Sequence, residues 1–195
     1  DFPDQQLGPG ECTVKVLSVG LCSSDISRGY GGSAYHYPLV MGHEIAGEIL
    51  KVGEKVGAGL LVGDKVTVFP LIPCFTCDSC HKQEYALCKS YDYYGSRRNG
   101  GFTEKLNVNH WNLMKLPHGV EVEDGALMEP TTVVVHALEK LVLSQTTKHR
   151  ICIVGAGFMG LIAVQMIKQF HGNCDLDLID RNQFKLDLGE KFGAK

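Results

Sequence analysis

The sequence lacks three features that would assign it to a protein class at once: a dense Lys/Arg block, a charged and apolar N-terminal leader, and an apolar run long enough to cross a bilayer. Its 195 residues carry 19 Lys and Arg against 22 Asp and Glu, a formal net charge of -3. The first absence argues against a nucleic-acid or anionic-membrane surface, and the other two argue against secretion and membrane insertion. We therefore expect a cytoplasmic protein whose partners are small molecules and other protein chains.

Four of the eight cysteines lie in one short stretch, PCFTCDSCHKQEYALC. Cys74, Cys77, Cys80 and Cys88 follow a C-x2-C-x2-C-x7-C spacing, and close C-x2-C pairs let thiolates converge on one tetrahedral zinc ion. Such a site is structural, because four sulfur ligands leave no position for water or substrate. The alternatives are a disulfide staple, which a reducing cytosol disfavours, an iron–sulfur cluster and a set of buried free thiols.

Three further segments, GLCSSD, GHE and MEPTTVVVHA, contain candidate metal ligands of mixed chemistry. Singly, Cys22 is typical of a core thiol, His43 of a core histidine, and Glu129 of a carboxylate at a helix start. Together with the cysteine-rich stretch they fit another arrangement. Three protein ligands of sulfur, nitrogen and oxygen type with an open fourth position are the architecture of a catalytic zinc site.

The distribution of apolar residues predicts two different kinds of fold along the chain. Short β-branched runs between Gly, Pro and Asn, with almost no helical periodicity, predict a β-barrel-like domain up to about residue 109. A helix is expected to begin at Pro130, and the tail after Lys148 alternates strand and helix as in a parallel α/β sheet. We expect domains at residues 1–130 and 131–195.

The tail contains a candidate dinucleotide loop, GAGFMG, between an apolar strand and a helix. Gly155, Gly157 and Gly160 form G-x-G-x-x-G, which permits a tight turn, close approach of the backbone to a pyrophosphate, and strand–helix contact. We assign Phe158 and Met159 to the same cofactor loop, at the start of its helix. An ordinary Gly-rich strand–helix turn is the alternative.

Asp180 ends the second strand of the tail, where a carboxylate can accept hydrogen bonds from the adenosine ribose and repel a 2′-phosphate. Asp180 therefore favours NAD over NADP. The neighbouring Arg181, also assigned to the cofactor site, opposes this preference because arginine can hold a phosphate.

Taken in order, these motifs resemble the zinc-dependent medium-chain dehydrogenases/reductases, the family of alcohol, sorbitol and threonine dehydrogenases. The resemblance runs over nearly the whole chain, and PCFTCDSC followed by YDYYGSRRNGGF is most similar to galactitol-1-phosphate and related polyol dehydrogenases. It implies a GroES-like β-barrel catalytic domain followed by the start of a Rossmann dinucleotide-binding domain. Because the tail supplies only two strands and two helices, we expect a longer protein, with an N-terminal strand also missing and the given chain inactive alone.

The resemblance also implies roles for individual residues. Cys22 and His43 would bind a catalytic zinc, with either Glu44 or Glu129 completing the shell, so that two zinc ions are expected per chain. Ser24 would hydrogen-bond the alcohol and start a proton relay. Asp25 would orient a ligating imidazole, a common role for carboxylates beside metal sites.

One departure from the family pattern concerns the outer proton path. Where several members carry a histidine three residues beyond the relay hydroxyl, this chain has Ser27.

Adjacent arginines, Arg97 and Arg98, are typical of a solvated loop, but one of them could bind a substrate phosphate, since guanidinium suits bidentate phosphate contact. The sequence thus predicts an NAD-dependent secondary-alcohol dehydrogenase acting on a polyol or polyol phosphate, a dimer or tetramer in the complete enzyme. A threonine-dehydrogenase-like enzyme is the alternative within the family. A non-catalytic zinc-binding scaffold is the alternative outside it.

Overall fold

The structure, a computed structural model, describes residues 6–141 and 148–195. The chain divides into two compact units, Asp1–Glu129 and Pro130–Lys195. The strands of the first unit are, in chain order, β1 (Glu11–Gly20), β2 (Glu44–Val52), β3 (Lys65–Val68), β4 (Leu71–Ile72), β5 (Asp92–Tyr93), β6 (Lys105–Asn109) and β7 (Leu113–Lys115). Within the described residues β4 pairs with β5, and the other five strands form one antiparallel sheet in the order β6-β1-β2-β3-β7.

The β-branched runs predicted as strands are confirmed as the core of this sheet. Alternate residues along each strand turn inward, as the two-residue period of a strand requires. The fully buried apolar side chains that pack together include Cys12, Val14, Ile45, Ile49, Val66, Val68 and Val108. This core fixes the ends of β1 and β2, where Gly20 pairs directly with Glu44.

The helices of the chain up to residue 141 are α1 (Ser23–Gly31), α2 (Asp78–His81), α3 (Val122–Ala126) and α4 (Met128–Glu139). Helix α1 forms in the region where the sequence shows almost no helical periodicity, and it has no apolar stripe because its one buried residue is Asp25. Capping defines this helix instead. The Asp25 carboxylate accepts a bond from the Cys22 amide at its start, and Gly32 ends it in the left-handed conformation at φ 65°.

Helix α4 begins two residues before the predicted start, so Pro130 is its third residue rather than its first. Proline is tolerated in the first turn because amides there have no intrahelical acceptor. The helix ends at Glu139, and residues 142–144 of the predicted helix lie outside the described part of the chain. No helix among the described residues is long and apolar enough to cross a membrane.

Three glycines pack backbone against backbone beside His43. Gly42 and Gly95 have φ values of 92° and 79°, in the left-handed region that favours glycine. A Cβ on Gly95 would lie 2.4 Å from the Gly42 carbonyl oxygen, and one on Gly100 would lie 2.1 Å from it. The absence of side chains at these positions lets the loop at residues 95–100 reach the start of β2.

The second unit contains β8 (His149–Val154), α5 (Phe158–Phe170), β9 (Cys174–Ile179) and α6 (Gln183–Lys191). The two strands are parallel, as predicted, and pair from His149 opposite Cys174 to Val154 opposite Ile179. Buried apolar residues of α5 and β9, among them Val164, Ile167 and Leu176, form the core of this unit.

Candidate metal and cofactor sites

The four cysteines of residues 74–88 converge in the structure as their spacing predicts. Their sulfur atoms all lie within 4.8 Å of one another, with Cys77 Sγ at 3.5 Å and Cys74 Sγ at 3.9 Å from Cys80 Sγ. A tetrahedron with zinc–sulfur bonds of 2.3 Å has edges of about 3.8 Å, so the set fits one zinc ion. A disulfide would need about 2.05 Å, and the cysteines are all free. Sulfur atoms at these separations fit around one metal ion and are too close together to surround a cluster of several iron atoms.

The thiols of this lobe, defined as residues 74–88, have unequal proton affinities. A hydrogen bond from Thr76 lowers the pKa of Cys74 to about 5, whereas burial raises the pKa of Cys80 to about 12. Metal ligation requires thiolates, so a metal that enters this site must displace protons.

A single tryptophan joins the lobe to the barrel. Trp111 lies in a 3-10 turn after β6, and its ring meets Phe75 and Tyr85 of the lobe at centroid distances of 5.0 and 5.3 Å. Phe75, between the first two cysteines, has a φ of 59°, a conformation that costs a non-glycine residue energy. The lobe loop therefore depends on its aromatic contacts and its cysteine cluster to keep its shape.

A second group of potential ligands comprises Cys22, His43 and Glu44, whose ligand atoms lie within 4.8 Å of one another. Cys22 precedes α1, and the other two stand at the start of β2. The opposite residue, Gly20, makes room for the carboxylate: a Cβ there would lie 1.8 Å from Glu44 Oε2. One sulfur, one nitrogen and one oxygen donor, with Gly20 leaving space for the Glu44 carboxylate, fit a three-ligand zinc site.

Asp25 connects the parts of this group. Its Oδ2 accepts a hydrogen bond from the Cys22 amide at 3.1 Å, and its Oδ1 accepts one from the Gly42 amide at 3.4 Å. Oδ1 also lies 3.4 Å from His43 Nδ1, a buried nitrogen that makes no hydrogen bond of good geometry within the described residues. Asp25 thus stands where a carboxylate can orient the imidazole, as the sequence predicts.

Burial and charge set the protonation of the candidate ligands. Burial lowers the pKa of His43, but Asp25 raises it more, to about 9. Burial raises the pKa of Cys22, and hydrogen bonds with Ser24 and His43 outweigh it, so the net shift is downward. Burial also raises the pKa of Glu44. A metal at this site would have to displace the proton of His43.

Glu129 lies outside the group of three. Its Oε1 accepts a hydrogen bond from the Tyr93 hydroxyl at 3.1 Å, and burial raises the pKa of Tyr93, so that the hydroxyl stays protonated. The Tyr93 ring in turn meets the His43 ring edge-on at 6.0 Å. Of the two glutamates left open by the sequence, Glu44 is the one placed with Cys22 and His43.

Two residues of this region were missed by the sequence reasoning. One is Tyr93, whose contact with Glu129 spans 36 positions and leaves no local signal. The other is Arg28, whose Nη1 donates to Ser24 Oγ at 2.9 Å. Its spacing of four residues from Ser24, on one face of α1, was the available signal. Ser27, in contrast, is exposed and shares a hydrogen bond of 3.0 Å with Ser33.

The adjacent arginines have different surroundings. Arg98 Nε donates to Asp92 Oδ2 at 2.7 Å, an ion pair. The Arg97 guanidinium lies over the rings of Tyr35 and Tyr91, 4.3 Å from each centroid, and within the described residues it has no carboxylate at ion-pairing distance. Tyr91 also lies 6.4 Å from Tyr93, so aromatic rings connect Arg97 to the Cys22 region.

The loop between β8 and α5 has the geometry expected of a dinucleotide fingerprint. Gly155 turns the chain at a φ of 105°. A Cβ on Gly157 would meet nothing within 4 Å, while one on Gly160 would lie 1.9 Å from the Gly155 carbonyl oxygen. The backbone at Gly157 is therefore open to an approaching pyrophosphate, and Gly160 allows the helix to pack closely against the turn at Gly155. A dinucleotide-binding loop requires both. Phe158 and Met159 start α5 and are partly exposed.

Asp180 follows β9 and faces this loop. Its carboxylate accepts hydrogen bonds from the amides of Ala156 and Asn182, each at 2.8 Å, and these bonds, first that of Asn182, lower its pKa. Arg181, next to it, is exposed. A fixed, ionised carboxylate thus borders the glycine turn.

Known proteins resemble this chain in sequence. Residues 8–118 match the alcohol dehydrogenase GroES-like domain. Galactitol 1-phosphate 5-dehydrogenase of Escherichia coli K12 is 43% identical over 185 residues, which cover 94% of this chain and 52% of that protein. The chain therefore spans about half the length of this relative.

Solved structures share the fold. The crystal structure of galactitol-1-phosphate dehydrogenase from Escherichia coli has a TM-score of 0.88 and 40% identity, covering 100% of this chain and 55% of that one. A zinc-binding dehydrogenase from Sinorhizobium meliloti 1021, bound to NADP, has a TM-score of 0.89 and 27% identity, covering 98% and 55%. An alcohol dehydrogenase from Escherichia coli CFT073 complexed with NADH has a TM-score of 0.88 and 30% identity, covering 98% and 56%.

These matches confirm the fold class and the resemblance that the motifs indicated. The chain belongs to the zinc-dependent alcohol dehydrogenase family of medium-chain dehydrogenases/reductases and carries its GroES-like domain.

Proposed function

We propose that the full natural protein is an NAD-dependent zinc dehydrogenase that oxidises a secondary alcohol of a polyol or polyol phosphate. The observation that carries the proposal is the group of Cys22, His43 and Glu44, three donors of different chemistry within 4.8 Å, with the Ser24 hydroxyl on the adjoining turn of α1. The polyol class rests on the relative that acts on galactitol 1-phosphate. Substrate profiling of the full natural protein tests the class, and oxidation of threonine in preference to polyols would contradict it.

The residues of the site have distinct roles in this reaction. Cys22, His43 and Glu44 would hold the zinc, which when bound polarises the alcohol and lowers its pKa. Ser24, held in place by the bond from Arg28, would accept a hydrogen bond from the substrate hydroxyl and release its own proton to solvent water as it takes up that of the alcohol. Asp25 positions both Cys22 and His43. Its carboxylate lies against Nδ1 of His43, which leaves Nε2 of the imidazole for the metal. The glycine loop at residues 155–160 and Asp180 would hold the nicotinamide cofactor, which when bound supplies the hydride acceptor.

The lobe would hold a second zinc through Cys74, Cys77, Cys80 and Cys88, so that each chain has one catalytic and one structural ion. Support comes from the sulfur separations, which suit four-sulfur coordination and leave no open position. No described feature favours a non-catalytic scaffold over the enzyme. The cytoplasmic location, the homo-oligomer and the lack of nucleic-acid or membrane partners stay predictions from the sequence.

The first prediction concerns the lobe metal. Chelation of zinc should change the fluorescence of Trp111, the only tryptophan, because its ring contacts Phe75 and Tyr85 of the lobe. The melting temperature should fall by about 10 °C, since a tightly bound metal contributes about 4 kcal/mol of stability. Cys77→Ser should reproduce both effects.

Two variants control this experiment. Cys22→Ser removes a ligand of the other cluster, and Cys152→Ser alters an exposed thiol on β8. Both should leave the fluorescence unchanged. A Cys77→Ser protein with wild-type fluorescence and melting temperature would contradict the structural role of the lobe.

The second prediction concerns the cofactor. The Asp180 carboxylate should favour NAD, because it can bond the ribose hydroxyls and repels a 2′-phosphate. Asp180→Gly, with Arg181 left in place, should lower the ratio of kcat/KM for NAD to that for NADP by about tenfold or more. Asp187→Asn, a change in an exposed carboxylate of α6, should keep the wild-type ratio. Equal use of both cofactors by the unmodified protein would refute the assignment.

The third prediction separates the two arginines. Arg97 is held by two tyrosine rings and keeps its guanidinium for a substrate phosphate, whereas Arg98 is paired with Asp92. A polyol phosphate should be oxidised with a kcat/KM about tenfold or more above that of the free polyol, as a charge-assisted contact allows. Arg97→Ala should abolish this preference and leave oxidation of the free polyol intact, while Arg98→Ala should retain it. If Arg97→Ala keeps the preference, the phosphate is bound elsewhere.

A further inference from the structure

Tyr93 contacts Glu129, one of the two glutamates that the sequence left open as the third metal ligand. Glu44 belongs to the group of candidate ligands, and Glu129 does not. Glu129 is nevertheless one hydrogen bond away from Tyr93, whose ring meets the His43 ring edge-on at 6.0 Å. A carboxylate beside the group is a potential fourth protein ligand, and a fourth protein ligand would close the position that substrate needs.

The Tyr93 hydroxyl makes a direct bond to this carboxylate, with its oxygen 3.1 Å from Glu129 Oε1. The tyrosine itself is fixed at three points. Its ring meets the rings of His43 and Tyr91 at 6.0 and 6.4 Å, and its backbone pairs with Leu71 across β4 and β5. Its carbonyl oxygen also accepts bonds from the amides of the turn that follows, including that of Arg97 at 3.0 Å. The hydroxyl therefore cannot follow Glu129 toward the metal without disturbing this packing.

We propose that Tyr93 is a positioning residue whose hydroxyl holds Glu129 off the metal, so that Cys22, His43 and Glu44 remain the three protein ligands and the fourth position stays open to substrate. The inference rests on the proposed function, because it requires a metal in this group. A hydrogen bond to a charged acceptor opposes the transfer of that acceptor to another partner. Loss of the hydroxyl removes this bond and should therefore let Glu129 compete with substrate for the metal.

The test uses the full natural protein with cobalt in the Cys22 site and zinc retained in the lobe. Imidazole, a neutral ligand for an open metal position, is titrated while the visible absorption of cobalt is followed. In Tyr93→Phe, which keeps the ring, the dissociation constant of imidazole should rise about tenfold, the scale of one charge-assisted hydrogen bond. With zinc in both sites, KM for the alcohol should rise by a similar factor while kcat at saturation changes little.

Two further variants show whether the effect passes through Glu129. In Tyr93→Phe/Glu129→Gln the side chain at position 129 is an amide, a poor metal ligand, so the imidazole constant should return to the value of Glu129→Gln alone. Tyr91→Phe removes a hydroxyl from the neighbouring ring and should leave the imidazole constant unchanged.

The outcomes separate the two hypotheses. An imidazole constant in Tyr93→Phe that is equal to or lower than that of the unmodified protein, or one that stays raised in the double variant, would overturn the role given to Tyr93. If the unmodified protein takes up no cobalt at the Cys22 site, or its spectrum does not respond to imidazole, the proposed function itself is wrong.

Discussion

The Asp25 carboxylate is the contact on which the candidate catalytic site depends. Its side chain is 1% exposed, and it joins the start of α1 to the start of β2 through Cys22, Gly42 and His43. Burial raises the pKa of Asp25, but the contact with His43 lowers it more, so the carboxylate remains ionised. An ionised group this deep in a protein is tolerated only with partners, and here the partners are the elements that carry the metal ligands. Helix α1, which has no apolar stripe, is defined by the same residue.

Two candidate metal sites of different composition lie in the first unit. The lobe gathers four sulfurs from fifteen consecutive residues, 74–88, and would enclose an ion completely. The other site gathers the Cys22 sulfur before α1, the His43 imidazole before β2 and the Glu44 carboxylate at the start of β2, and it would leave a position for substrate. Gly20 makes the room for Glu44, while Tyr93 restrains Glu129. Whether such a site is structural or catalytic thus depends on the number of donors and on the neighbouring residues, here Gly20 and Tyr93, that admit or exclude a carboxylate.

Sequence reasoning predicted the local geometry where that geometry depends on local spacing. The four cysteines converge and the glycines of GAGFMG form a tight turn, and both patterns lie within a few residues of the chain. It could not choose between Glu44 and Glu129, because that choice depends on Gly20 across the sheet and on Tyr93, 36 residues away. It also missed α1, because capping rather than hydrophobic periodicity defines that helix. Contacts between distant segments carry no mark in either partner's local sequence.

The central claim, two metal centres of different chemistry in one chain, is tested most directly by zinc analysis combined with X-ray absorption at the zinc edge. The account predicts two zinc ions per chain, with four sulfur ligands at one ion and one at the other, hence five zinc–sulfur bonds shared between the two. Cys22→Ala should leave one ion with four sulfurs. A single zinc ion bound by four sulfurs in the unmodified protein would contradict the account.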